Sequence, residues 1–327
     1  MKFEDFKIMA TAAAVPDHVV DNDQLSTMMA TSDEWITQRT GIKRRHIATH
    51  ETTSSLGTAV ANQLLKKSGL TAQDIDLIVV ATMSPDYLTP ATAAIVQGNL
   101  GADNAVAMDL DAACSGFVYG LKVVRQMLMG DQRKHAILIG GETLSKLIDW
   151  HDRSTAVLFG DGAGGVLIEN AEKSTGSFRA EDLKTLGKMG QYLTAGQTGQ
   201  PTPFTKDQTA TNPFFKMNGR RVYRFAVNEV PQSINRALAQ ASLSVADIDH
   251  FVLHQANSRI VERIAATLNV APEKFPVNID EYGNTAAASE PILLNQLVKD
   301  GIIKRGDVIA LSGFGGGLTV GTMILTY

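Results

Sequence analysis

The chain holds one cysteine, Cys114, within Val106-Ala107-Met108-Asp109-Leu110-Asp111-Ala112-Ala113-Cys114-Ser115-Gly116-Phe117. An apolar strand turns there through two alanines into Gly116–Val124, whose apolar spacing is helical. Unpaired N–H groups and the positive end of a helix dipole favour a thiolate at such a point, and the thiolate is cysteine's attacking form. The competing reading is a small buried apolar residue. His254 closes the apolar run Phe251-Val252-Leu253 and opens His254-Gln255-Ala256-Asn257-Ser258-Arg259. Sheet proteins commonly place function at the carboxyl end of a buried strand, although a satisfied core histidine reads the same way. Asn284 lies in Tyr282-Gly283-Asn284-Thr285-Ala286-Ala287-Ala288-Ser289, either facing a cleft or simply forming a turn. Ser312-Gly313-Phe314-Gly315-Gly316-Gly317-Leu318 reads as a glycine-rich loop between two strands. Its backbone N–H groups can come close enough to hold an oxyanion; a plain hairpin is the alternative. The other six histidines have no reactive neighbours in sequence.

Positioning these groups requires a repeated scaffold, and the chain carries one. Leu70-Thr71-Ala72-Gln73-Asp74-Ile75-Asp76-Leu77-Ile78-Val79-Val80-Ala81 matches Leu243-Ser244-Val245-Ala246-Asp247-Ile248-Asp249-His250-Phe251-Val252-Leu253-His254 at an offset of 173 positions. The same offset relates Ile137–Gly141 to Ala310–Phe314, and Asp111–Cys114 to Asn284–Ala287. Two similar halves of mixed strands and helices follow, too long for solenoid units, with the turns of Cys114 and Asn284 facing across one cleft. The halves are expected at 1–170 and 171–327, the second opening on a polar connector that includes Thr198-Gly199-Gln200-Pro201-Thr202-Pro203. A helix is expected from Met217 to about Ser242, and Thr31-Ser32-Asp33-Glu34 reads as a helix cap before Trp35. Gly160-Asp161-Gly162-Ala163-Gly164-Gly165 fits a dinucleotide-binding pattern, but an apolar strand follows where that pattern needs a helix. A tight hairpin between Thr155–Phe159 and Val166–Ile168 is expected instead.

With 327 residues, 44% hydrophobic and 20% charged, the composition is that of a soluble globular protein. A single cysteine excludes an intrachain disulfide and a multi-cysteine metal cluster, and suits a reducing, cytoplasmic setting. The N-terminus lacks the apolar core of a signal peptide, and no run reaches the roughly 20 apolar residues of a membrane span. A formal net charge of −4 argues against general nucleic-acid binding. Against this acidic background Lys216, Arg220 and Arg224, spaced i, i+4, i+8 with Arg221 beside them, form a basic face on the expected helix. A solvated face is the ordinary reading; an acidic partner is the other.

Taken together, Thr31–Ile36, Asp111–Phe117, Phe159–Gly164, His254–Asn257, Tyr282–Ser289 and Gly313–Gly317 resemble the β-ketoacyl-acyl-carrier-protein synthase III family of thiolase-fold condensing enzymes. The resemblance runs in order over essentially the whole chain. It implies an α/β fold of duplicated halves in a five-layered αβαβα arrangement, and a Cys114–His254–Asn284 triad. Cys114 would take a short acyl group, acetyl foremost, from acyl-CoA as a thioester. Malonyl-acyl carrier protein would then lose CO₂. His254 and Asn284 would donate hydrogen bonds to the resulting carbanion, and the N–H groups of Cys114 and Gly316 would hold the tetrahedral oxyanion.

The resemblance further implies that Trp35 and Arg153 sandwich the CoA adenine, with Arg39, Gly219 and Asn257 along the same channel. It assigns carrier-protein contacts to Gln255, Ala256, Asn257, Ser258 and Arg259, beside Lys216, Arg220 and Arg224. It implies a homodimer that needs neither a cofactor nor a metal. The single cysteine argues against a degradative thiolase, which uses two. A related enzyme of specialised metabolism with another acyl donor, and a non-catalytic carrier-binding scaffold, are the other readings.

Three positions depart from the family pattern. Glu290 stands where an apolar residue is usual, and either alters the cleft near Asn284 or is a favourable acid in a helix capped by Ser289. Thr89 replaces a bulky aromatic that lines the acyl pocket across a dimer interface in some relatives, which would admit longer or branched primers. Arg220 replaces a smaller polar residue at the CoA channel.

Overall fold

The computed structural model describes residues 5–131, 133–172, 177–199, 203–204 and 211–327. The expected connector therefore falls partly outside the described residues, at 200–202, as does the start of the chain, 1–4.

Two sheets organise the described chain. One has five strands in the order Asp5–Ala14, Gly162–Ala171, His135–Glu142, Leu77–Ala81, Val106–Leu110. The other has four: His250–Leu253, Val308–Gly315, Thr319–Thr326, Phe178–Thr185. Side chains alternate across each strand, as a strand buried on both faces requires. Leu77 and Val79 join one core while Ile78 and Val80 join another. In the second sheet Val252 faces the first of these cores and Phe251 and Leu253 face a third.

The shared core contains two helices, Gly116–Asp131 and Ser289–Lys299, between the sheets. Helices Thr53–Ser68 and Thr92–Leu100 cover the outer face of the first sheet, and Gly219–Ala241 and Ser258–Leu268 that of the second. The result is the expected five-layered αβαβα arrangement. The offset seen in sequence reappears in three dimensions: Ala72–Asp74 and Val245–Asp247 are matching 3-10 turns, as are Ala113–Ser115 and Ala286–Ala288. His135–Glu142 and Val308–Gly315 are matching strands.

Local expectations hold or fail for physical reasons. Ser32 caps the helix Asp33–Thr40, its hydroxyl accepting from the Trp35 N–H at 3.2 Å, and so places Trp35 on the first turn. The hairpin expected around Gly160–Gly165 does not form. Gly162–Ala171 pairs with Asp5–Ala14 and His135–Glu142, while Arg153–Ala156 is a short helix. The glycine-rich stretch Ser312–Leu318 is mostly strand; only Gly316–Leu318 turns before Thr319. The long basic helix starts at Gly219, capped by the Asn218 side chain. Lys216 lies outside it, in a two-residue strand with Met217. Helix Ser289–Lys299 has Ala288 at its cap position, and Ser289 is its first residue rather than its cap.

Candidate active site

Cys114 and Asn284 sit on copies of one turn. Asp111 Oδ1 accepts from the Ala113 N–H at 2.9 Å, and Asn284 Oδ1 accepts from the Ala286 N–H at 2.9 Å. Ala113 and Ala286 both adopt positive φ, 47° and 43°. In each turn the side-chain oxygen satisfies an N–H that the strand-to-helix transition leaves without a partner.

Each turn is seated by a strand glycine of the other half. A Cβ on Gly313 would lie 3.0 Å from the Cys114 carbonyl oxygen and 2.8 Å from Ser115 Cα. A Cβ on Gly140, the position matching Gly313, would collide with the Ala287 carbonyl. Gly160 serves the asparagine turn in the same way: its N–H donates to the Asn284 carbonyl at 3.0 Å, and a Cβ there would strike the Tyr282 carbonyl. That close approach is what the Gly160-Asp161-Gly162 stretch provides.

A cavity of about 750 Å³ opens onto Cys114, His254 and Asn284 together. The Gly315–Gly317 segment forms part of its wall, and a Cβ on Gly315 would lie 2.7 Å from Cys114 Sγ. Thr319 ties this segment to the cysteine turn: its Oγ1 is 2.7 Å from the Gly316 carbonyl and 2.9 Å from Ser115 Oγ. Beside the thiol lie apolar side chains, including Phe159 stacked on Phe215 at 4.2 Å, with Met83 and Leu110 further along.

Burial dominates the electrostatics. It pushes the Cys114 thiol well up, and the Glu290 and Glu142 carboxyls push the same way. The N–H groups of Gly316 and Cys114 pull it down without offsetting burial. The thiolate expected from the helix dipole is therefore not the resting form, and the thiol needs a base. Glu142 is itself pushed up to about 8 by burial, against hydrogen bonds from Ser84, Met83 and Thr82.

His254 follows the strand His250–Leu253, its N–H donating to the Ser312 carbonyl at 2.9 Å. It is 1% exposed, and burial lowers its pKa to about 3, so the ring is neutral. Nδ1 lies 2.6 Å from Ser289 Oγ, whose hydroxyl donates to the Ala286 carbonyl at 2.5 Å. Having spent its proton there, Ser289 accepts from Nδ1–H, which leaves Nε2 with a lone pair. In this tautomer Nε2 is an acceptor; in the other, with the Ser289 hydroxyl turned toward Nδ1, it is the expected donor. Asn284 differs: with Oδ1 committed to Ala286, its NH₂ has no hydrogen-bond partner among the described residues.

Of the expected channel residues, Trp35, Arg39, Gly219 and Asn257 line the cavity. Arg153 departs from expectation. Its guanidinium lies 5.2 Å from the Trp35 ring centroid, with that of Arg39 at 4.5 Å, and donates to the Ala30 carbonyl at 2.7 Å. Asn257 Oδ1 caps helix Ser258–Leu268 and Nδ2 donates to the Arg39 carbonyl, so it acts chiefly as a brace.

Gln255 is buried, donating to the Leu253 carbonyl and accepting from the Asn278 N–H, which removes it from any partner-facing surface. Ala256 lines the cavity, Ser258 packs against Gly41, and Arg259 is exposed. Lys216, Arg220, Arg221 and Arg224 are exposed where the Gly219–Ala241 helix meets the cavity mouth, though Lys216 is off the helix. Thr89 is exposed beside Tyr87 and Leu88 and does not line this chain's own cavity. Ser289 and Thr319, which hold the histidine and the glycine segment, went unrecognised in sequence because neither their type nor their spacing distinguishes them.

Two family models match: 3-oxoacyl-[acyl-carrier-protein] synthase III over residues 108–187, and the C-terminal region of the same family over residues 238–327. The chain is 74% identical over 327 residues to the β-ketoacyl-[acyl-carrier-protein] synthase III of Lactobacillus helveticus, covering 100% of both chains. It is 65% identical to that of Levilactobacillus brevis, again covering 100% of both. The crystal structure of 3-oxoacyl-[acyl-carrier-protein] synthase III from Aquifex aeolicus superposes with a TM-score of 0.91 at 38% identity, over 98% of this chain and 100% of that one. The priming β-ketosynthase of the R1128 polyketide pathway superposes with a TM-score of 0.93 at 31% identity, over 99% and 97%.

Proposed function

Because the chain belongs to the β-ketoacyl-[acyl-carrier-protein] synthase III family, we propose that Cys114, His254 and Asn284 are its catalytic groups. The protein is an acyltransferase that catalyses the condensation initiating fatty acid synthesis. The proposed substrates are a short acyl-CoA, acetyl-CoA foremost, and malonyl-acyl carrier protein, giving 3-oxoacyl-acyl carrier protein.

In the first half-reaction the Cys114 proton passes to His254 Nε2 and the thiolate attacks the acyl carbonyl. The N–H groups of Cys114 and Gly316 hold the tetrahedral oxyanion, and CoA leaves with the proton from His254. In the second, malonyl-acyl carrier protein loses CO₂ and the Asn284 NH₂ donates to the developing enolate oxygen. His254 becomes a second donor only in its other tautomer, with the Ser289 hydroxyl turned toward Nδ1. The carbanion attacks the acyl carbon, and Cys114 departs as the thiolate. Neutral donors suit this step because a strong acid nearby would quench the carbanion.

For the carrier, Arg220 and Arg224 with Lys216, Arg259 and the Ala256–Ser258 stretch form the proposed docking surface. Arg220 lies in the first turn of its helix, where the dipole adds to its charge and an acidic partner relieves both. The proposal extends to a cytoplasmic homodimer of halves 1–170 and 171–327, needing no cofactor, with the exposed Tyr87 and Leu88 as the face for a second copy. No helix among the described residues is long and apolar enough to cross a membrane.

The observation that carries this reading is the convergence of the cysteine turn, the histidine strand end and the asparagine turn on one cavity. The likeness to a polyketide priming synthase supports the second reading, a specialised pathway with another donor. Incubation with a panel of acyl-CoAs and malonyl-acyl carrier protein separates them. A 3-oxoacyl-carrier product with acetyl-CoA is expected, whereas turnover confined to other donors favours the second reading. No product with any donor would overturn both.

A further inference from the structure

Glu290 is fully buried in the first turn of helix Ser289–Lys299, directly after the serine that holds His254. Its carboxyl points between the two catalytic turns. Oε1 lies 2.6 Å from where a Cβ on Gly313 would stand, a point also within 3.0 Å of the Cys114 carbonyl oxygen. Oε2 lies 3.5 Å from Ser289 Oγ. Oε1 has no hydrogen-bond partner, and the side chain has no ion-pair partner, among the described residues. The titratable groups facing this region from neighbouring elements are Cys114 on its turn, His254 on its strand end and Glu142 on strand His135–Glu142; none is a cation at rest.

An unpaired carboxylate in such a place is expensive, so the group keeps its proton. Burial pushes its acidity in that direction, against weak opposing hydrogen bonds. Glu290 is an acid in the first turn of its helix, as the sequence allowed, but Ala288 rather than Ser289 holds the cap position and the carboxyl is buried.

We propose that Glu290 is a positioning residue for the Cys114 nucleophile: uncharged, it packs the cysteine turn against Gly313, and on losing its proton it opposes the thiolate and closes down acylation at high pH. This rests on the reading of Cys114 as the nucleophile. The residue acts through charge on a sulfur it does not bond, so its signature is a pH profile rather than a loss of activity. An apolar residue at this position would have no such second ionisation. Glu142 bears on the same thiol, but the Thr82 and Ser84 hydroxyls and the Met83 and Ser84 N–H groups hold its carboxyl, whereas Glu290 Oε1 has no such partner.

Because Cys114 is the only cysteine, its alkylation by iodoacetamide can be followed by intact mass without ambiguity. Rates would be measured from about pH 6 to about pH 10 for the wild type, Glu290→Gln and Glu290→Val, alongside loading by acetyl-CoA. The profiles are expected to coincide at the acid end of the range and to separate as pH rises. At the alkaline end of the range both variants should alkylate roughly tenfold faster, the change expected for a shift of one unit in the thiol. Superimposed profiles would overturn the proposal and leave Glu142 as the source of any alkaline suppression. Glu290→Val carries the measurement if the buried amide of Glu290→Gln impairs folding. Failure of acetyl-CoA to load the wild type would instead sink the nucleophile reading, while alkylation still decides the role of Glu290.

Discussion

At Asp111-Ala112-Ala113-Cys114 and at Asn284-Thr285-Ala286-Ala287 the chain makes the same turn, with the same side-chain cap and the same positive-φ alanine. The differences lie at the first and fourth positions. In the first turn the capping residue is an exposed aspartate and the fourth residue is the thiol. In the second the cap is an amide, and the fourth residue, Ala287, packs against Gly140. Aspartate and asparagine close the turn equally well with one oxygen, but only asparagine keeps two N–H donors for a substrate. One duplicated turn thus places a nucleophile on one side of a cavity and a donor on the other.

Replacing each distinguishing group tests this division, with the largest effect at the sulfur. Cys114→Ala should leave no acyl adduct by intact mass and cut condensation by roughly 10³-fold or more. Asn284→Asp keeps the cap and removes the donors. Condensation, followed as carrier-bound product, should fall by roughly 10²- to 10³-fold while Cys114 still accepts the acyl group. The paired glycines probe the seats of the turns. Gly140→Ala should cost about 1–3 kcal/mol or more in denaturant unfolding. Gly313→Ala should cost less, because one of its close contacts is the Glu290 side-chain end, which can shift.

Smaller effects lie at the cavity mouth and in the core acids. Arg220→Glu with Arg224→Glu should raise the KM for malonyl-acyl carrier protein by about three- to tenfold, read as carrier-bound product at saturating acyl-CoA. Stability should also fall as pH rises from about 4.5 to about 8. The Glu142 carboxyl is raised to about 8 in the fold, so its stabilising share is complete below its unfolded value near 4.5 and is lost as pH climbs to about 8. The slope is at most about 1.4 kcal/mol per pH unit, and Glu142→Gln should flatten it in urea titrations at pH 7 and 8.

Much of this was legible in the sequence. The 173-position offset located matching strands and matching turns, because register and turn chemistry are local properties that a duplication preserves. The non-local parts were hidden. Gly162–Ala171 pairs with strands far away in the chain, so a local reading produced a hairpin that does not form. Gln255 sits in a polar stretch yet turns inward to satisfy Leu253 and Asn278. The basic spacing of Lys216, Arg220 and Arg224 was real as a sequence pattern, but the Asn218 cap starts the helix after Lys216. The state of His254 could not be read without Ser289, since only the hydroxyl's bond to Ala286 decides which ring nitrogen holds the proton.

The most direct test of the two-turn account is a chase on Asn284→Asp. The variant is loaded with acetyl-CoA, freed of excess donor and mixed with malonyl-acyl carrier protein while the Cys114 adduct is followed by intact mass. The account predicts that the adduct forms as in the wild type and then persists, because the nucleophile is intact and the donor is gone. An adduct that never forms, or one that discharges at the wild-type rate, would contradict it.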